Sequence, residues 1–179
     1  MKFYKKSNSF RESYIDTLGK LYDYSTIRYA KNRISKVIDT DKEYTYAGFK
    51  AQCDSLSKQL TQFGIGASDK VAILSQNMPE WAVAFFATVP FGRIAIPILP
   101  ESSANEVTNI LNHSESKVLF VSKKLLPNVS RECIDKLTLV IDIETFEFIK
   151  QDNDKFTCDG KVAMPMPEVE SEPEPEPEK

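Results

Sequence analysis

Asp69-Lys70-Val71-Ala72-Ile73-Leu74-Ser75-Gln76-Asn77-Met78-Pro79-Glu80-Trp81 is the stretch from which the fold can be read. Its first half is an apolar run, 71–74, that does not alternate with polar residues. A strand covered on one face alternates, whereas a run of this kind fits a strand covered on both. The second half carries helix signals. Asn77-Met78-Pro79-Glu80 has the spacing of a capping box and opens a segment holding Trp81 and Phe85. The same unit recurs downstream. Apolar runs at 71–74, 94–99, 118–121 and 137–141 begin 23, 24 and 19 residues apart. Ser103-Ala104-Asn105-Glu106 is a second capping box, ahead of Val107, Ile110 and Leu111, and a weaker helical pattern lies between Ser122 and Lys136. Strand and helix alternating at this interval predict βαβ units, hence a parallel sheet with right-handed crossovers.

Working outward, Ser9-Phe10-Arg11-Glu12 resembles a further capping box, and Tyr14, Leu18, Leu21 and Tyr22 follow at helical spacing, so a helix is predicted over about residues 10–30. Short β-rich runs at 34–38 and 43–46 flank Asp39-Thr40-Asp41-Lys42 and predict a hairpin. Thr45 then caps a helix carrying Phe49, Cys53, Leu56, Leu60 and Phe63 on one face, with Gly64 placed to end it in a left-handed conformation. On the other side, residues 145–149 alternate like a short strand or hairpin arm. Residues 165–179 repeat Pro and Glu, which blocks helix and sheet interiors and extends the chain by like-charge repulsion. The fold class is therefore α/β: a doubly wound, mostly parallel sheet with flanking helices, an N-terminal helix and hairpin, and a disordered acidic C-terminal tail. The predicted divisions are an α/β subdomain over 1–142, an irregular or short-strand extension over 143–164, and an acidic linker or tail over 165–179.

Composition excludes several classes. Of 179 residues, 41% are hydrophobic and 27% charged, values that suit a globular chain and not a wholly disordered one. The net charge is −3, but residues 165–179 hold six Glu and one Lys, so the rest of the chain is mildly basic. That balance is too small to point to nucleic acid. Three cysteines, Cys53, Cys133 and Cys158, show no C-x-x-C spacing, and His113 is the single histidine, so neither a disulfide framework nor a zinc site is expected. Residues 1–10 lack the apolar core of a signal peptide, and the most apolar stretch, 81–91, is shorter than the roughly 20 residues a membrane span needs. A cytoplasmic chain is expected, with peripheral contact to a membrane as the variant. That variant rests on the first 36 residues, which hold nine Lys or Arg against three Asp or Glu, and on all seven tyrosines falling within the first 46 residues. The simpler reading of those residues is a solvated helix face with tyrosines packed on the sheet edge; weak contact with a membrane surface is the lesser one.

Catalytic motifs are missing. Gly64-Ile65-Gly66 precedes a strand instead of following one, so it reads as a helix stop and not as a dinucleotide loop. There is no G-x-x-x-x-G-K-[ST] and no G-x-S-x-G. His113 reads as a surface residue near a helix end, where a cation complements the dipole. Trp81, Phe85, Phe86 and Phe91 read first as core, and second as the lining of a hydrophobic ligand channel. No catalytic, cofactor-binding or metal residue is assigned. Open α/β sheets bind ligands at the carboxyl ends of their strands, which makes Asn77, in the stretch Ser75–Asn77, a substrate-cleft candidate; Trp81 and Phe85 are the other two, as the lining of such a channel.

The order of segments resembles the AMP-forming acyl-activating enzymes. Glu43-Tyr44-Thr45-Tyr46-Ala47-Gly48-Phe49 resembles their L-T-Y-x-E-L motif, with Gly48 in place of the usual acidic residue. Phe91-Gly92-Arg93-Ile94-Ala95-Ile96-Pro97-Ile98-Leu99-Pro100 is similar to their A-G-A-x-x-V-P-L-x-P pattern, with Arg93 where a small residue is common. Ser75-Gln76-Asn77-Met78-Pro79-Glu80-Trp81 looks like the S-x-N-x-x-E-W stretch of long-chain fatty-acid–CoA ligases. The resemblance covers about residues 10–142. It implies a parent reaction in which a carboxylate attacks the α-phosphate of ATP, giving an acyl-adenylate, after which coenzyme A takes the acyl group; ATP, Mg²⁺ and coenzyme A are the cofactors implied for the parent, and none for this chain. The Ser/Thr/Gly-rich phosphate loop, the ribose-binding segment and the catalytic lysine of such enzymes have no counterpart here. The expectation is therefore an N-terminal fragment of a long-chain fatty-acid–CoA ligase, inactive alone, whose partners are the fatty acid and the remainder of the ligase chain. The alternative is a standalone, ligase-derived, non-catalytic partner-binding module.

Overall fold

The computed structural model describes residues 15–36 and 43–151, and the tail over 165–179, the capping box at Ser9 and the turn at Asp39 lie outside them. The first helix, α1 (Leu18–Arg28), starts from Thr17, whose hydroxyl accepts the Lys20 amide. Strands β1 (Arg33–Lys36) and β2 (Glu43–Thr45) pair antiparallel as a small separate sheet. Thr45 caps α2 (Tyr46–Gln62), accepting from the Gly48 amide. The end of α2 satisfies its last carbonyls locally. Gly64 takes φ +74°, the Gly64 amide donates to Thr61 O, and the Ile65 amide donates to Leu60 O. These two bonds are the Schellman pattern, and the buried Ile65 and Leu60 supply its apolar contact.

The main sheet has five strands in the order β4-β3-β5-β6-β7, with β3 (Lys70–Leu74), β4 (Ile94–Ile98), β5 (Val118–Val121), β6 (Leu139–Asp142) and β7 (Phe148–Gln151). The first four are mutually parallel, and β7 closes one edge antiparallel to β6. Three helices cross between them: α3 (Pro79–Phe86), α4 (Ala104–Ser114) and α5 (Arg131–Lys136). Leaving β3 the chain moves one way to β4, then returns past β3 to β5. Right-handed crossovers in opposite directions put their helices on opposite faces. Thus Val71, Ile73, Val118, Phe120, Leu139 and Ile141 pack against α1, α2 and α3, while Ala72, Leu74, Leu119, Val121 and Val140 pack against α4 and α5. The central strands are buried on both faces, as their unbroken apolar runs predict.

Three expectations need correction. The run at 94–99 is an edge strand: Ile94 and Pro97 are exposed, and Leu99, just beyond it, is 72% exposed. The Ile94 amide donates to Asp69 O, so by the strand's two-residue period Ala95 and Pro97 present their backbone to the open side. Proline is tolerated there because no ladder donor is needed. Secondly, α3 is not opened by a capping box. Its N-cap is Met78 without a side-chain bond, and Pro79 supplies the fixed φ of the first turn. The Ser103 box at α4 does form in both directions. Thirdly, the helical pattern between Ser122 and Lys136 divides into a 3₁₀ turn, Leu126–Asn128, and the short α5.

Arg93, just ahead of β4, fastens the α2 side of the core. Its buried guanidinium donates to Ile65 O (3.0 Å), Ser57 Oγ (2.7 Å), Ala87 O (3.2 Å), Ser57 O (3.1 Å) and Thr61 Oγ1 (2.7 Å). All five donors of the fork are used, and every acceptor is neutral. One side chain therefore ties the end of α3, the middle and end of α2, and the loop into β3.

Candidate functional site

Parallel strands leave their carboxyl ends on one rim, and where successive crossovers depart to opposite faces a crevice opens between the strands. In this sheet the place is between β3, whose chain leaves toward α3, and β5, whose chain leaves toward α5. Ser75 follows β3 and Ser122 follows β5; both are buried. The Ser122 amide donates to Leu74 O at 3.1 Å, holding the two ends together. The Ser75 hydroxyl donates to Gln76 O at 2.7 Å. The Ser122 hydroxyl, fully buried, finds no hydrogen-bond partner among the described residues. A buried hydroxyl left without a partner costs on the order of 1–3 kcal/mol.

The next strand adds charge. Asp142 ends β6 with its side chain 3% exposed, and Lys123 Nζ, mostly exposed, lies 3.3 Å from its Oδ2. Its other carboxylate oxygen accepts the Glu144 amide at 2.9 Å. The turn into β7 is tied back to the same residue. The Asp142 amide donates to Glu147 O, and Asp142 O accepts from the Phe146 amide, with Phe146 at φ +59°. Ser75, Ser122, Lys123 and Asp142 thus form a polar rim on three neighbouring strands. Sequence reading passed over the last three. Ser122 and Lys123 follow the apolar run 118–121 and Asp142 follows 139–141, positions with meaning only once the strand order is known.

The three sequence-predicted cleft residues fall nearby but are not one cluster. Asn77 is exposed in the loop between β3 and α3. Trp81 and Phe85, one turn apart on α3, stack with ring centroids 5.4 Å apart and planes 11° from parallel. Phe85 meets Phe86 edge-on at 5.4 Å. Both members of the stacked pair are half-buried against the α1–α2–α3 core, so they are core-edge residues with one side open.

The rim holds no nucleophile with a base. Cys53 is buried in α2 with Sγ 3.7 Å from Val83 O, and burial, aided by the Asp54 charge, pushes its thiol up to about 12. Cys133 is buried in the α4–α5 core, and His113 is exposed in the last turn of α4. Among the described residues no three His, Cys, Asp or Glu side chains gather to hold a metal ion. The segments that leave β3 and β5, Ser75-Gln76-Asn77-Met78 and Ser122-Lys123-Lys124, contain no glycine to bring successive amides onto a phosphate chain. The described residues by themselves therefore form no cradle for ATP phosphates or Mg²⁺. No helix among them is long and apolar enough to cross a membrane.

The family described as AMP-binding enzyme matches residues 27–179. A putative acyl-CoA synthetase, YngI of Bacillus subtilis, is 30% identical over 59% of this chain and 19% of its own length. The long-chain-fatty-acid–CoA ligase FadD13 of Mycobacterium tuberculosis is 35% identical over 49% of this chain and 18% of its own. The chain spans about a fifth of the length of the curated relatives it matches. Among solved structures, the inhibitor-bound N-terminal domain of FACL13 from Mycobacterium tuberculosis superposes with a TM-score of 0.64 at 26% identity, covering 70% of this chain and 33% of that one. Since the family match spans most of the sequence and the fold is that of such an N-terminal domain, this chain belongs to the AMP-binding enzyme family and resembles the N-terminal part of its acyl-CoA ligases.

Proposed function

We propose that this chain serves as the N-terminal wall of an AMP-forming fatty-acid–CoA ligase, the parent reaction being acyl-adenylate formation from a fatty acid and ATP followed by transfer to coenzyme A. The observation that carries the reading is the family match over residues 27–179. In this reading the chain's own residues position and exclude. The Trp81–Phe85 stack lines the apolar side of the acyl cleft, where an aromatic pair tolerates a methylene chain and shuts out water. Ser122, Lys123 and Asp142 meet polar groups supplied from outside this chain. ATP, Mg²⁺ and coenzyme A are held by other parts of the parent, so the isolated chain is expected to form no acyl-adenylate.

The test uses the parent protein containing this sequence, assayed for thioester formation with fatty acids of graded length, ATP and coenzyme A. Long-chain acids are expected to be the better substrates. Trp81→Ala is expected to raise KM for them with a smaller effect on short acids, because uniform binding along the chain is lost. Preference for short or aromatic acids would overturn the fatty-acid assignment. A folded Trp81→Ala variant with unchanged kinetics would overturn the role given to α3.

A further inference from the structure

The turn that leaves α1 is tied to the start of α2. The Asn32 amide donates to Tyr29 O at 2.8 Å, the Tyr46 amide to Asn32 O at 3.0 Å and the Ala47 amide to Ala30 O at 2.9 Å. These bonds set Tyr29, the C-cap of α1, beside Tyr46, the first residue of α2, with ring centroids 6.1 Å apart and planes at 50°. Tyr29 is 37% exposed. Tyr24 meets Tyr29 edge-on at 6.5 Å, and the Arg28 guanidinium lies 5.9 Å above the Tyr24 ring. The backbone thus holds an aromatic surface in place with a cation beside it.

The charge of this surface is not answered within it. Nearby, Asp16 is taken by Lys20 (2.8 Å), Glu43 by Arg33 (2.6 Å) and Lys36 (3.5 Å), and Asp54 by Lys50 (3.1 Å). Arg28 and Lys31, both exposed and three residues apart, make no ion pair among the described residues. Lys58 and Lys124 lack one too, each singly. The opposite charge is written in this chain's own sequence. Glu172-Pro173-Glu174-Pro175-Glu176-Pro177-Glu178 alternates strictly. Proline sets φ near −65° and favours polyproline II, a form that needs little further ordering to bind aromatic surfaces. With three residues per turn, every face of such a stretch carries proline and glutamate together; Glu172, Pro175 and Glu178 share one, at intervals of about 9 Å. Reach is no obstacle. Residues 152–171 can span up to about 66 Å, against a diameter of roughly 35–40 Å for a domain of this size.

We propose that residues 172–178 of this chain dock on the surface formed by Arg28, Tyr29, Lys31 and Tyr46. Prolines lie on the two tyrosine rings, and glutamates meet the two cations. Exposed ion pairs are individually weak, so the same segment as a free peptide binds poorly. Tethering supplies an effective concentration on the order of 1 mM, at which a millimolar contact is about half populated. The proposal stands apart from the ligase reading, and its test reads proximity alone. Carbodiimide treatment of the 179-residue chain condenses a glutamate carboxyl with a lysine amine, releasing water, where the two touch. At low salt, peptide mass mapping is expected to find residues 172–178 joined to Lys31 roughly fivefold more than to Lys58 or Lys124, with the excess lost at high salt. Arg28→Glu is expected to remove most of that excess, and Tyr29→Ala to reduce it; melting followed by circular dichroism confirms that each variant is folded. A one-to-one mixture of chains carrying natural and heavy nitrogen separates the chain's own segment from that of a second copy, and only light–light and heavy–heavy products are expected. Equal yields at the three lysines, an excess that survives high salt, an excess unchanged in folded Arg28→Glu, or abundant light–heavy products would overturn the proposal.

Discussion

Replacing Arg93 by methionine keeps most of the side-chain volume and removes all five donors, which makes it a direct measure of how far a buried cation can stabilise a core that offers it no carboxylate. Two opposing effects decide the outcome. Burial disfavours the guanidinium, and desolvation lowers its pKa, with the charge of Asp69 opposing. An apolar replacement removes that penalty, and replacing whole buried charge networks can be neutral or stabilising. Here, however, only the donor side is removed. Ile65 O and Ala87 O lose the partner described above, while the hydroxyls of Ser57 and Thr61 can turn elsewhere; the Thr61 hydroxyl already donates to Ser57 O at 3.1 Å. Two buried carbonyls without donors cost about 1–3 kcal/mol each. The expected loss is about 2–4 kcal/mol for Arg93→Met and more for Arg93→Ala, which adds a cavity. With an urea m-value of about 2 kcal/mol/M, 3 kcal/mol lowers the midpoint by roughly 1.5 M at unchanged m. Urea unfolding followed by far-ultraviolet circular dichroism reads this directly. Arg93→Lys should fall between, since three donors on a flexible stem cannot span Ile65 and Thr61 together. An Arg93→Met midpoint indistinguishable from the wild type would refute the reasoning and show that desolvation cancels the five bonds.

Four further expectations follow from local geometry. Gly19→Ala should stabilise the chain by about 0.5–1 kcal/mol: a Cβ there would meet Pro90 O at 3.5 Å, an ordinary contact, and alanine is the better helix residue, so a lowered melting temperature would show that α1 packs closer than this. Ser103→Ala should cost about 1 kcal/mol in urea unfolding by opening the capping box of α4. In that box Glu106 accepts from the Ser103 amide (2.7 Å) and hydroxyl (2.8 Å), which hold its carboxyl below the usual carboxylate value. With the folded pKa below the unfolded one, its contribution is complete above the ordinary glutamate value and is lost as pH falls through the depressed one, so Glu106→Gln should flatten that acid limb of the stability curve. Cys53 should resist alkylation in the native protein at pH 8 and react on unfolding, as read by peptide mass mapping; rapid native labelling would contradict its burial.

The central sheet was legible because β3, β5 and β6 are covered on both faces, and a strand so placed writes an unbroken apolar run. The 94–99 run looked the same but lies at the edge; the local mark of that position is Pro97, since a residue without an amide hydrogen has no place in a central strand. Asn77 was a reasonable cap by spacing, yet Pro79 fixes the first turn one residue later than a box from Asn77 requires. Of the candidate site, the aromatic pair was visible because Trp81 and Phe85 share a helical face. The polar rim was not, because Ser122 and Asp142 are assembled by strand order alone. The clamp made by Arg93 was visible only as a departure from a familiar pattern.

Pro97 bears on how this chain behaves in a crowded solution. Strand β4 turns its free side outward with isoleucine, alanine and proline side chains about it, a combination that would ordinarily seed growth of a cross-β ladder between molecules. Its open backbone presents only two residues, and the second has no amide hydrogen. An incoming strand would therefore find the N–H of Ala95 and then a gap one full repeat later. The same residue that the parallel sheet tolerates at its border denies a neighbouring molecule a continuous template, so the apolar composition of this border need not make it a point of fibre growth.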